Sequence, residues 1–329
     1  MNREFRKRIF TIDNTGLFDE LALEVFRYQA INNLTYKTYI SALGVTPNSV
    51  KSPNQIPFLP VSFFKNHKII TGNNPAETVF ESSGTTGMIT SKHYVSDITL
   101  YEECFINGFR YFYGDPADYF FAALLPSYSE RENSSLIYMM NKLIKMSRFS
   151  ESGFYNNDPE KLVTTIEKIS QKGVKGMILG VSFAMIDIAQ QYAPDLSGLI
   201  AAETGGMKGR RREMTREELH SVLKSGFKVE TIHSEYGMTE LLSQAWSKGE
   251  GLFYCPPWMK VFVRDPQDPL TIFENSGRTG GINIIDLANI NSCSFISVND
   301  LGRLSGNGGF EVLGRFDSSD IRGCNLMAE

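Results

Sequence analysis

Between residues 119 and 232, short and almost wholly apolar runs alternate with stretches of helical periodicity. Tyr119–Leu125 is one such run, ended by Pro126; Lys175–Val181 is another and leads into an apolar helix through Ile188. Leu199–Ala202 stops at Glu203-Thr204-Gly205-Gly206, and the helix-like Arg216–Lys224 precedes the strand-like Phe227–Ile232. A strand that is apolar along its length has to be covered on both faces, and helical connections return each such strand parallel to the last. The pattern predicts an α/β core built on a mostly parallel sheet. After about Leu252 the character changes. Met259–Val263, Gly281–Leu287, Ser294–Val298 and Phe310–Leu313 lie between Gly, Asp, Asn and Pro turns, which predicts a smaller β-rich lobe. The expected division is an α/β core over 1–251 and the β-rich lobe over 252–329.

Before the alternating region, Leu17, Leu21, Val25 and Tyr28 mark one face of a helix. Four prolines then break regular structure around residues 46–60. Ser96 or Asp97 is placed to cap a helix that turns Leu100, Cys104 and Phe105 inward. At 329 residues the chain is near the length at which single cores stop growing, so one large domain with lobes and two domains both remain open.

A net charge of -4 and a pI near 5.7 argue against a nucleic-acid partner. The basic cluster Lys208-Gly209-Arg210-Arg211-Arg212 is too local for such a surface, although it could serve a phosphate or an acidic partner. Cys104, Cys255, Cys293 and Cys324 are far apart with no CxxC pair, which argues against both zinc ligation and a disulfide framework. No apolar run follows the basic N-terminus, and the longest apolar stretch is too short for a bilayer. A soluble, cytoplasmic protein with no membrane insertion is the expectation.

Five strings carry chemistry. Ser82-Ser83-Gly84-Thr85-Thr86-Gly87, with Lys92 close behind, offers backbone N–H groups, hydroxyls and a charge to a polyphosphate; taken alone it is equally a solvated loop. Glu235-Tyr236-Gly237-Met238-Thr239-Glu240 offers a flat ring for a base and a hard carboxylate for a hard cation; the plain alternative is a Gly turn with a capping Glu. Glu203-Thr204-Gly205-Gly206-Met207-Lys208-Gly209-Arg210 has two glycines suited to close approach of a ligand, or to a strand-to-helix turn. Asn299-Asp300-Leu301-Gly302-Arg303 is the fourth, with an ordinary Asn-Asp turn as its alternative. Gly314-Arg315-Phe316-Asp317, running on through Ile321-Arg322-Gly323, is the fifth.

Together these strings resemble the adenylate-forming superfamily of acyl-CoA synthetases, non-ribosomal adenylation domains and firefly luciferase. Its phosphate loop reads roughly [ST]SGTTGxPKG, and here the loop tail departs from it, without the proline and with the lysine displaced to Lys92. The other four resemble its YGxTE turn, a strand-end loop, its TGD element and its GRxDdxIKxRG hinge. The wording ETGGMKGR, and Phe58-Leu59-Pro60-Val61-Ser62-Phe63-Phe64-Lys65, are more similar to the acyl-protein synthetase (LuxE-type) branch. The likeness spans roughly residues 55–325. It implies the fold of the superfamily's N-terminal domain, with ATP and Mg2+ at one site.

Under that resemblance Ser82, Ser83, Gly84, Thr85, Thr86 and Gly87 hold phosphates, and Gly205 and Gly206 line the adenine and acyl pockets. Tyr236 and Gly237 take the adenine, Thr239 the α-phosphate and Glu240 the Mg2+. Asp300 receives the ribose hydroxyls, and Arg315 approaches ribose or phosphate. The chain ends six residues after Gly323, so the expectation is a core lacking the mobile C-terminal domain and its lysine. Lys92, Lys208 or Arg315, or a second polypeptide, would then meet charge at the α-phosphorus. The implied activity is conversion of a carboxylic, by resemblance fatty, acid to acyl-AMP with release of pyrophosphate. Acyl transfer to a thiol follows, either Cys324, the acceptor by resemblance, or an external one, and then transfer to a fatty-acid reductase or acyl carrier. An aryl or acyl-CoA ligase core with a separate C-terminal domain is an alternative, as is a silent nucleotide- or acyl-binding subunit. His93 and His233 read as structural histidines, with orientation of a substrate as the alternative.

Overall fold

The computed structural model describes residues 2–83, 89–126, 131–205 and 214–316. Three helices open the chain, α1 (Asn2–Ile9), α2 (Thr15–Asn32) and α3 (Leu34–Ala42), followed by the strand β1 (Leu59–Pro60) and the single helical turn α4 (Phe63–Asn66). A hairpin of β2 (Thr78–Glu81) and β3 (Lys92–Val95) precedes α5 (Ile98–Tyr113). The alternating region folds as β4 (Tyr119–Leu124), α6 (Ser135–Met146), β5 (Gly153–Phe154), α7 (Pro159–Gln171), β6 (Lys175–Val181), α8 (Ser182–Gln191), β7 (Ile200–Thr204), α9 (Arg216–Phe227), β8 (His233–Tyr236) and β9 (Ala245–Ser247). The last stretch gives β10 (Leu252–Phe253), β11 (Met259–Arg264), β12 (Thr279–Asp286), β13 (Phe295–Leu304) and β14 (Phe310–Arg315).

One sheet runs β5-β4-β6-β7-β8-β9, parallel throughout except where β9 turns back on β8. All six residues of β4 are buried, as a strand covered on both faces requires. The second sheet runs β10-β14-β13-β12-β11 and is antiparallel, with β1 added parallel to β13 from far earlier in the chain. The expected α/β fold with a mostly parallel sheet and a β-rich part is what forms. The two sheets are joined by a backbone bridge, Trp246 N–H to the Tyr254 carbonyl at 3.0 Å and Tyr254 N–H to the Trp246 carbonyl at 2.9 Å. Buried residues of both sheets and of the N-terminal helices form one continuous hydrophobic cluster.

Helix α2 is fastened to the second sheet by Gln29. Its amide donates to the carbonyls of Asn289 (3.1 Å) and Ile290 (3.0 Å) and accepts from Ser294 N–H (2.9 Å). The buried face of α2 is Phe18, Leu21, Ala22, Val25 and Phe26, whereas Leu17 is exposed, so the face is rotated from the one the spacing predicts. Asp97 is the cap of α5, accepting from Leu100 N–H, and Leu100, Cys104 and Phe105 are buried as predicted.

One strand lies elsewhere than predicted. Phe227 ends α9, Lys228 follows in the left-handed region (φ 55°), and the strand begins at His233. The apolar signal at 227–232 came from Phe227 and Ile232, which are buried at the ends of a helix-to-strand connection. Among the described residues, no helix is long and apolar enough to cross a membrane.

Candidate functional site

In a parallel sheet the chain leaves every strand at the same edge, so the segments after β4, β6, β7 and β8 gather there. The β7 and β8 ends carry buried carboxylates. Thr204 donates to Glu235 across the strand pair, while Ser182 Oγ lies 3.0 Å from Glu203 Oε2 and also meets the Gly205 carbonyl. Gly205 turns out of β7 with φ 68°, where glycine is favoured. Gly237 leaves β8 beside the Glu235 carboxyl, which a Cβ there would have to displace from Thr204.

The turn after Gly237 meets the β2–β3 hairpin. His93 on β3 donates from Nδ1 to the Thr239 carbonyl at 2.8 Å, and the Ser91 hydroxyl lies close enough to the Glu240 carboxyl to lower its pKa. Ser91 also closes the base of the hairpin loop: its N–H donates to Ser82 Oγ (2.9 Å) and its carbonyl accepts from Ser82 N–H (3.0 Å). Ser82 is thus within one residue pair of Glu240, with Ser83 exposed beside it. Strand alternation turns Lys92 the other way; it is exposed and pairs with Glu81 at 3.5 Å. The structure does not bring Lys92 to the Thr239–Glu240 turn.

From the second sheet, Asp300 accepts from Tyr236 Oη at 2.8 Å and lies 3.3 Å from Arg315 Nε. Asp300 and Arg315 are cross-strand partners on β13 and β14. The Arg315 side chain is 85% exposed, which leaves most of its donors open to an anion. The Tyr236 ring is buried edge-on against Phe253 (5.8 Å between centroids) and Phe310 (5.6 Å). Gly205, Tyr236, Gly237, Thr239, Glu240, Asp300 and Arg315 are therefore joined through direct contacts or adjacent strands. Gly84, Thr85, Thr86, Gly87, Gly206, Lys208 and Cys324 lie outside the described residues.

Burial pushes the Glu240 carboxyl above the ordinary carboxylate range, with Ser91 pulling it back. Such a carboxylate suits a hard cation. Among the described residues no group of three His, Cys, Asp or Glu side chains could hold a metal ion.

His233 starts β8 at the edge opposite the cluster, hydrogen-bonded at 3.0 Å to Tyr113 Oη. Burial lowers both His93 and His233 to about 4 from the usual 6.5. A histidine depressed in the folded state contributes stability above its unfolded pKa, and that contribution is lost as pH falls toward its folded pKa. Lowering the pH from about 7 to about 4.5 should remove roughly 2 kcal/mol through the fully buried His93. Urea unfolding at both pH values, wild type against His93→Gln, measures it; a difference between the two proteins that ignores pH would refute it.

Residues that sequence reasoning did not mark complete the cluster. Asp286 is fully buried and accepts from Leu242 N–H (2.9 Å), Ser243 N–H (2.9 Å), Ser243 Oγ (2.6 Å) and Ala288 N–H (3.2 Å), fixing the segment after Glu240 to the second sheet. Asn289 donates to the Glu240 carbonyl at 2.8 Å. The only sequence signal for either was an acidic residue opening a short turn.

No family model matches this chain, and no curated protein matches it. Solved structures do. A 2-hydroxyisobutyryl-CoA ligase in complex with 2-HIB-AMP and CoA, in its thioesterification state, superposes with a TM-score of 0.68 at 13% identity, covering 93% of this chain and 70% of that one. An open conformation of that ligase gives a TM-score of 0.66 at 12% identity, over 93% of this chain and 77% of that one. A double mutant of the o-succinylbenzoate-CoA synthetase MenE from Bacillus subtilis gives 0.50 at 17% identity, over 74% of this chain and 49% of that one. The chain has the fold of the N-terminal part of adenylate-forming enzymes.

Proposed function

We propose that this chain activates a carboxylic acid by adenylation and passes the acyl group to a thiol. The carrying observation is the hydrogen bond from His93, at the foot of the hydroxyl-rich loop, to the Thr239 carbonyl in the aromatic-acidic turn. Two segments suited to one nucleotide are thereby held side by side, with Asp300 and Arg315 completing a rim. A carboxylate oxygen attacks the α-phosphorus of ATP, the bond to the bridging oxygen breaks, and acyl-AMP and pyrophosphate result. Ser82, Ser83 and the loop residues through Gly87 hold the polyphosphate, Gly205, Gly206, Tyr236 and Gly237 border the adenine, and Asp300 takes the ribose. Glu240 would hold Mg2+, which neutralises phosphate charge when bound. Arg315, with so much of its guanidinium in solvent, is the described cation best placed to offset charge at the α-phosphorus; Lys92 is engaged with Glu81.

In the second step we assign the thiol to Cys324. Its thiolate attacks the acyl carbonyl, AMP leaves with the bonding pair, and a thioester remains. A fatty acid as donor and a reductase or acyl carrier as next acceptor complete the acyl-protein synthetase reading, which rests on the wording of the ETGGMKGR and FLPVSFFK segments. Purified protein with a panel of acids should show carboxylate-dependent exchange of labelled pyrophosphate into ATP. No exchange with any acid would favour a silent binding subunit. Labelled acyl should appear on the wild type as a hydroxylamine-sensitive thioester and vanish in Cys324→Ser; thioester retained in that variant would move the acceptor elsewhere.

A further inference from the structure

We propose that His93 and Asn289 are positioning residues that clamp the Thr239–Glu240 turn, each by one hydrogen bond to the backbone. His93 Nδ1 is 2.8 Å from the Thr239 carbonyl, and Asn289 Nδ2 is 2.8 Å from the Glu240 carbonyl. The two donors reach consecutive peptide groups from unrelated places. His93 belongs to the hairpin that carries the hydroxyl-rich loop, and Asn289 to the short helical turn Leu287–Asn289 between β12 and β13. Both side chains are 1% exposed, so neither bond competes with solvent. With both carbonyls held, the direction in which Thr239 and Glu240 present their side chains is fixed relative to the loop and the second sheet at once.

The clamp requires one tautomer. A carbonyl oxygen can only accept, so the proton must be on Nδ1 and Nε2 must be an acceptor. Beside the ring is a cavity of about 10 Å3 lined by His93, Ser96, Asn289 and Ser292, among others. The Ser96 hydroxyl and Asn289 Oδ1, both buried beside it, have no hydrogen-bond partner among the described residues. That is room for about one water, which can donate to Nε2 and to Asn289 Oδ1 and accept from Ser96; an acceptor satisfied in this way does not draw the proton from Nδ1. The Phe64 ring meets the imidazole edge-on at 5.8 Å and limits its rotation.

What the clamp positions rests on the adenylation reading; that the clamp exists does not. Long-range 1H–15N correlation of the labelled full chain, with His93→Gln to assign the ring, should show a protonated Nδ1 and a bare Nε2 at neutral pH. The reverse tautomer would overturn the proposal. In His93→Phe, amide hydrogen exchange at residues 238–241 should speed up by about tenfold or more, whatever the activity. Unchanged protection there would also overturn it. In the exchange assay, His93→Phe should lose about 10- to 30-fold in kcat/KM for MgATP with the KM for the acid unchanged, and His93→Gln, which still has an N–H to offer, should recover most of it. If Gln fares no better than Phe, the hydrogen bond is not what matters. A wild type without exchange would remove the adenylation reading and leave the tautomer and protection measurements to decide the clamp.

Discussion

Asp286→Asn is expected to lose about 3 kcal/mol or more of unfolding free energy. The wild-type carboxylate offers only acceptors, and it meets two backbone N–H groups of the 242–243 segment, the Ser243 hydroxyl and Ala288 N–H. Asn fills the same space but turns an NH2 group toward donors, so buried N–H groups lose their partners without a void being made. The loss should spread further. Ser243 Oγ also receives the Trp258 indole N–H at 3.0 Å and lies 3.2 Å from Cys104 Sγ, so the serine is the junction of α5, the turn and the second sheet. Urea unfolding followed by tryptophan fluorescence measures the effect. A loss below about 1 kcal/mol would mean that the four donors find other partners.

Asp300→Ala should raise the KM for ATP by about 100-fold in the pyrophosphate-exchange assay, on the proposed reading that this carboxylate receives the ribose hydroxyls. Asp300 is 7% exposed and holds Tyr236 Oη on one oxygen and Arg315 on the other. Its removal strands a buried phenol, for a stability cost of roughly 1–3 kcal/mol, and releases the guanidinium. Tyr236→Phe separates the two consequences. It removes the phenol and keeps the carboxylate, so it should cost a similar roughly 1–3 kcal/mol through the stranded carboxylate oxygen but leave the KM for ATP within a few-fold of wild type. An Asp300→Ala protein with unchanged KM would exclude the carboxylate from nucleotide binding. Measuring exchange rates over a range of ATP concentrations for the three proteins resolves this.

The strands that could be read from sequence are those whose burial is uniform. β4 and β6 are apolar from one end to nearly the other, and the spacing of apolar residues placed them within a residue or two. β8 was missed because it reads His-Ser-Glu-Tyr. Its polar groups are buried only because partners reach them from elsewhere: Thr204 for Glu235, His220 for Ser234 and Asp300 for Tyr236. No local pattern announces that compensation. β1 is two residues long and has identity as a strand only beside β13.

The candidate site divides in the same way. The two candidate strings stand out because their glycines, hydroxyls and carboxylates are adjacent in sequence. The residues that hold them do not, since His93 and Thr239 are 146 positions apart and Asn289 and Glu240 are 49 apart. Lys92 shows the opposite limit. Its neighbours in sequence, Ser91 and His93, face the turn, and alternation along β3 sends it to the other side.

The Trp246–Tyr254 backbone bridge gives the two sheets a shared hinge line with no slack in it. A rotation of one sheet against the other would have to break main-chain hydrogen bonds beneath buried Trp246, whose ring also rests edge-on against Tyr113. Such a rotation therefore costs main-chain hydrogen bonds as well as packing, which keeps Tyr236 on one sheet in register with Asp300 on the other.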